Sequence, residues 1–122
     1  MKRLFFLIVI IFFASISHAQ LANSKWKTTL QLDDPTDVVF SFSNDTLEVL
    51  SAEDSSSLET MSYSIKDTVL TIQKLYGQSD CDNTSATYSF SINGNELHIN
   101  PISDPCENRA QLLTDMKLTK VE

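Results

Sequence analysis

Residue types able to do chemistry are few in this 122-residue chain. Beyond residue 19 there is one histidine, His98, set between Leu97 and Ile99 in an alternating segment. Side chains alternate across a strand, so inward-facing Leu97 and Ile99 would send His98 out to solvent. Serine and aspartate are plentiful, but no G-x-S-x-G marks one serine as a nucleophile. No catalytic residue is expected, and the chain reads as a non-enzyme.

Two acidic clusters offer hard oxygen ligands: Asp33, Asp34 and Asp37, then Asp80, Asp82 and Asn83. Such donors suit calcium, yet neither cluster has the spacing of an EF-hand loop. Turn chemistry and solubility account for both, since Asp and Asn side chains bond their own backbone in turns. Cys81 and Cys106 are the two cysteines. With no C-x-x-C and a single histidine they make a poor zinc set. In an exported chain they read instead as one intramolecular disulfide. Closing that loop is worth roughly 3–4 kcal/mol in the chain-entropy model. No metal and no cofactor are expected.

Export is read from the N-terminus. Lys2 and Arg3 precede an apolar run over residues 4–14, and Ser17-His18-Ala19 follows with a small-x-small pattern. This is the layout of a cleavable signal peptide over residues 1–19, with a secreted or periplasmic product. The run is shorter than the roughly 20 residues a spanning helix needs, so no membrane span is expected after cleavage. Residues 20–122 make one domain. Without Lys2 and Arg3, 7 Lys or Arg remain against 16 Asp or Glu, a formal charge of −9. A surface of that sign repels nucleic acid, which is excluded as a partner.

The elements that must position any site follow a period of two. Trp26, Thr28, Leu30 and Leu32 share one strand face, and Val38, Phe40 and Phe42 the next. Leu47 with Val49, then Met61, Tyr63 and Ile65, then Leu70 with Ile72 continue the pattern. Tyr88, Phe90 and Ile92, then Leu97 with Ile99, then Met116 with Leu118 complete it. Turn residues separate these segments, Asn93-Gly94 being the strongest hairpin signal. Eight short strands joined in sequence predict an all-β, antiparallel, up-and-down barrel, which removes exposed edges. One segment differs. Asp104 as cap, Pro105 at the first helical position and Glu107 as the far side of a capping box predict a short helix over residues 108–113, before the last strand.

Trp26 at the start of the first strand, the succession of hairpins, and the Cys106-x-x-Arg109 segment before the last strand together resemble small secreted lipocalin-like domains. These are calycin-type domains of the kind found in Bacteroidetes-type bacteria. The resemblance implies a barrel that binds a small apolar ligand. It also implies that Arg109 packs over Trp26, a cation–π contact closing one barrel end. Ser24 stands where that family has a glycine.

The function expected is therefore a binding module for a small apolar or amphipathic ligand. Trp26, Phe40, Phe42, Tyr63, Tyr88 and Phe90 would supply apolar contact, and the Tyr63 and Tyr88 hydroxyls a polar handle. The same residues also suit a plain core. About twenty large inward side chains nearly fill an eight-stranded barrel, so a filled interior is expected over a roomy cavity. The alternative class is a protein-interaction module, such as an inhibitor of a secreted enzyme, with residues 21–25 and 76–83 as contact surfaces.

Overall fold

The computed structural model describes residues 20–121; the signal segment expected over residues 1–19 lies outside them. The strands are β1 (Ser24–Gln31), β2 (Pro35–Phe42), β3 (Thr46–Ser51), β4 (Ser57–Lys66), β5 (Val69–Gly77), β6 (Ser85–Asn93), β7 (Glu96–Ser103) and β8 (Met116–Val121). A short helix α1 (Glu107–Leu112) lies between β7 and β8. Consecutive strands pair antiparallel, and β1 pairs with β8 through Trp26 opposite Lys120. The sheet is a closed eight-stranded barrel, as the alternating pattern requires, and closure leaves no strand edge unpaired.

The inward phase of each strand forms the core. Trp26, Val38, Phe40, Phe42, Leu47, Leu70, Ile72, Tyr88, Leu97 and Leu118 are all essentially sealed from solvent. Trp26 is fixed as well as buried. Its indole Nε1 donates to Ser24 Oγ at 2.7 Å, and the Ser24 hydroxyl donates in turn to the Leu21 carbonyl. A glycine at position 24 would leave that indole donor without its partner, at the usual cost of a buried unpaired N–H.

The hairpin turns sit one residue later than the sequence suggests. Asn93 pairs with Glu96 inside the ladder, so the turn is Gly94-Asn95. Gly94 has φ 62° and Asn95 is not at positive φ, the requirement of a type II′ turn. Lys66 likewise pairs with Val69, leaving Asp67 (φ 56°) as the first turn residue.

Strand phase breaks in three places, and each break is a bulge. Val49 and Leu50 pair with Glu59 and Ser57, so Leu58 is the extra residue in β4. Thr60 and Met61 pair with Tyr76 and Lys74, so Leu75 is extra in β5. Thr87 and Tyr88 pair with Ser103 and Pro101, so Ile102 is extra in β7. Leu75 and Ile102 fall on the outward phase of their strands and are 49% and 57% exposed despite being large and apolar. Thr60, expected on the outer face, is instead buried beside Met61. Leu32, expected inward, lies past the end of β1 and is exposed.

The helix, expected over residues 108–113, starts one residue earlier, while its cap falls two residues later than Asp104. Cys106 is its N-cap and Glu107 its first residue. Asp104 still accepts a backbone N–H, but from Cys106 at 2.8 Å, not from the helix. Cys81 and Cys106 form the expected disulfide, tying the β5–β6 loop to the helix entrance.

Candidate binding cleft

The meander gives the barrel two unlike ends. At one end lie the connections over residues 43–45, 67–68 and 94–95, none longer than three residues. This end is filled: Leu21 and Trp26 are fully buried, and Phe42 meets Tyr63 edge-on with ring centres 5.1 Å apart. At the other end lie the longer connections over residues 32–34, 52–56, 78–84 and 104–115, the last carrying α1. Here a cleft of about 1000 Å³ is bounded by β1, β4, the disulfide loop and α1. Leu30, Phe40, Val49, Leu58, Met61 and Met116 supply its apolar lining. Core side chains are buried at both ends of the barrel, and the cleft opens above them at the α1 end.

Of the six aromatic candidates, Phe40 lines the cleft. Trp26, Phe42, Tyr63, Tyr88 and Phe90 are buried in the core cluster. The two expected polar handles are already engaged. Tyr63 Oη donates to the Ser43 carbonyl, and Tyr88 Oη donates to Asp104 Oδ2. Arg109 is buried. It follows β7 at the open end, while Trp26 lies near the start of β1, toward the filled end. Arg109 grips Asp104 through Nε (2.7 Å to Oδ2) and Nη2 (2.8 Å to Oδ1).

This Tyr88–Asp104–Arg109 cluster is the best-ordered polar feature of the open end. Burial opposes the charge on Asp104. The hydrogen bonds from Arg109, from Tyr88 and from the Cys106 N–H outweigh it, and the carboxyl titrates below its usual 3.8. Burial, then the hydrogen bond to Asp104, pushes the Tyr88 phenol well above its ordinary value of 10. Burial alone would weaken the Arg109 cation, but Asp104 more than offsets it, and the guanidinium is held protonated. A second ionic pair, Glu59 and Lys74, stands across the cleft, with Nζ 3.6 Å from Oε1. Glu59 Oε2 accepts the Ser79 N–H at 3.2 Å and Lys74 Nζ donates to the Ser79 carbonyl, so the pair holds the disulfide loop. Sequence reasoning missed Glu59, Lys74 and the ion-pair role of Asp104. The β5 phase Leu70, Ile72, Lys74 does point the lysine inward; a charged residue continuing an inward series was the signal available.

His98 projects outward, its Nε2 2.8 Å from Glu96 Oε1, in a groove of about 500 Å³ over β6, β7 and β8. Ser91 stands opposite it in the ladder. Among the described residues no group of three or more His, Cys, Asp or Glu is placed to hold a metal ion. Asp37 of the first acidic cluster accepts from Thr29 Oγ1 at 2.6 Å. Of the two protein-contact surfaces suggested by the sequence, residues 21–25 include the buried Leu21 and Ser24. In the other, Tyr76 is 64% exposed. Among the described residues no helix is long and apolar enough to cross a membrane.

Architecture and site together define a closed, eight-stranded antiparallel barrel with an apolar cleft at one end. No family model, curated protein or solved structure matches the chain.

Proposed function

We propose that this protein is an exported, non-enzymatic, lipocalin-like binding module that takes a small apolar or amphipathic molecule into the cleft at the α1 end of the barrel. The observation that carries the reading is the cleft itself: Leu30, Phe40, Val49, Leu58, Met61 and Met116, at the top of the core, line a space of about 1000 Å³ at the α1 end, while Trp26, Phe42 and Tyr63 fill the other end. Clefts that hold small molecules run from roughly 300 to 1,000 Å³ and are mainly apolar with a few placed polar groups. Leu58, the bulged residue of β4, is partly buried and lines the cleft. The test is titration with the uncharged fluorophore N-phenyl-1-naphthylamine. Saturable one-to-one binding that Leu58→Trp abolishes supports the reading; no saturable binding overturns it.

A second reading, a protein-interaction module such as an inhibitor of a secreted enzyme, draws on a different observation. Leu32, Leu75, Tyr76 and Ile102, the large exposed apolar residues, all sit at this same end. Aromatic and aliphatic groups of this kind anchor protein interfaces. Assay of secreted hydrolases with and without the protein separates the readings. Inhibition that Tyr76→Ser relieves, while fluorophore binding persists, favours the second.

A further inference from the structure

Arg109 lines the cleft beside its apolar residues. Asp104 occupies Nε and Nη2, and the Tyr88 phenol adds a further hydrogen-bonding contact to the guanidinium. Among the described residues Nη1 meets no acceptor within hydrogen-bond distance. That nitrogen is not among the sealed polar atoms either: the one sealed, unbonded side-chain atom in the described residues is Glu59 Oε1. Arg109 lines the cleft although its side chain is only 9% exposed. A guanidinium presents its donors in a fixed planar fork, and with one edge clamped by a carboxylate the opposite edge is aimed rigidly.

Charge decides what that edge takes. The Arg109 charge is already matched by Asp104, whose side chain is fully buried against it. Glu59 is matched by Lys74, and around the cleft Asp33, Asp80 and Asp115 stand against Lys117, so the nearby excess is negative. An anionic head would meet that excess with no uncompensated cation to receive it. A cationic head has no acceptor on Arg109 and would confront the guanidinium. A neutral acceptor satisfies Nη1 without adding charge.

We infer that the ligand is an uncharged amphiphile whose polar end is a carbonyl-type acceptor (ketone, ester or amide), hydrogen-bonded by Arg109 Nη1, with its hydrocarbon part against Phe40, Leu58 and Met61. This rests on the cleft being the binding site. The test displaces N-phenyl-1-naphthylamine with chains of equal length and different heads: 2-undecanone, undecanoate and undecylamine. The ketone is expected to displace the fluorophore at about tenfold lower concentration than the amine, the difference that one hydrogen bond to a charged donor makes. It is also expected to act below the concentration needed for the carboxylate. Arg109→Lys keeps a cation beside Asp104 but loses the planar second edge. It should erase the ketone's advantage over the amine, each displacement being referred to the fluorophore affinity measured on the same variant, with a thermal melt showing the variant folded. Should Arg109→Lys fail to fold, the wild-type ranking decides. An amine equal to or better than the ketone, a carboxylate that binds tightest, or no displacement by any of the three overturns the inference and leaves the cleft reading standing. Absence of fluorophore binding overturns the cleft reading itself.

Discussion

At the scale of single residues, stability should hang on Asp104 more than on any other surface-distant polar group. Its carboxylate takes hydrogen bonds from Arg109 twice, from Tyr88 and from the Cys106 N–H. Removing one partner of a buried ion pair leaves the other uncompensated, so Asp104→Asn is expected to cost about 3–5 kcal/mol by urea denaturation at pH 7. The pH dependence has a definite sign. The folded pKa is depressed below 3.8, so the native state favours the ionised form. The stabilisation is whole above about pH 5 and drains away as pH falls through 3.8 and below. Urea midpoints taken from pH 6 to pH 2 should therefore fall more steeply for the wild type than for Asp104→Asn. Parallel slopes would refute this. Little of the cluster was legible beforehand. Asp104 could be seen as a local cap and Arg109 as a residue of the Cys-x-x-Arg segment. Their meeting with Tyr88 depends on the bulge at Ile102, which no local pattern announces.

Among the elements, the bulges explain both what the sequence reveals and what it hides. The alternation of Trp26, Phe40, Leu47, Tyr63, Leu70, Tyr88, Leu97 and Leu118 is strict, and eight strands were readable from it. The extra residues Leu58, Leu75 and Ile102 look like ordinary apolar strand residues in sequence. All three sit toward the cleft end, where a bulge bends its strand away from regular pairing. Of the three, Leu58 lines the cleft, beside Leu30, Phe40, Val49, Met61 and Met116 of the regular inward phase. Five of the six aromatic candidates lie deeper in the core. Gly77 closes this region. A Cβ there would lie 2.3 Å from Glu59 Oε1 and 2.7 Å from the Glu59 Cα, at φ 150°. Gly94 sits at φ 62° with open space around it. Gly94→Ala should cost about 1–2 kcal/mol, the price of left-handed backbone alone. Gly77→Ala should cost more and loosen the disulfide loop, read as faster amide exchange at Gln78 and Ser79. Equal losses for the two variants would show that the Glu59 contact yields freely. The disulfide spans 25 residues, and replacing both cysteines with serine should lower stability by roughly 3–4 kcal/mol.

For the molecule as a whole, the filled end and the proposed binding cleft lie at opposite ends of the barrel axis. The filled end holds Trp26, Phe42 and Tyr63; Phe42 is 2% exposed and contacts Tyr63 edge-on. Phe42→Ala opens a cavity there that the closed sheet cannot collapse, and should cost about 3–5 kcal/mol. That is a large part of the roughly 5–15 kcal/mol a domain of this size commands, so urea curves at low temperature are the suitable measurement. Because Phe42 does not line the cleft, the folded fraction of Phe42→Ala should bind N-phenyl-1-naphthylamine at the α1 end as the wild type does. Leu58→Trp should show the converse, lost binding with little change in the urea midpoint, since Leu58 is only partly buried and its bulge leaves room toward the cleft. A variant of Phe42 that loses fluorophore affinity while still folded, or a Leu58→Trp protein that unfolds as readily as Phe42→Ala, would mean that the two ends form one cooperative interior. The cleft would then be a breathing core and not a separate site. At the open end Tyr88, Asp104 and Arg109 form a hydrogen-bonded cluster. Such a cluster holds its geometry while neighbouring side chains rearrange around a guest.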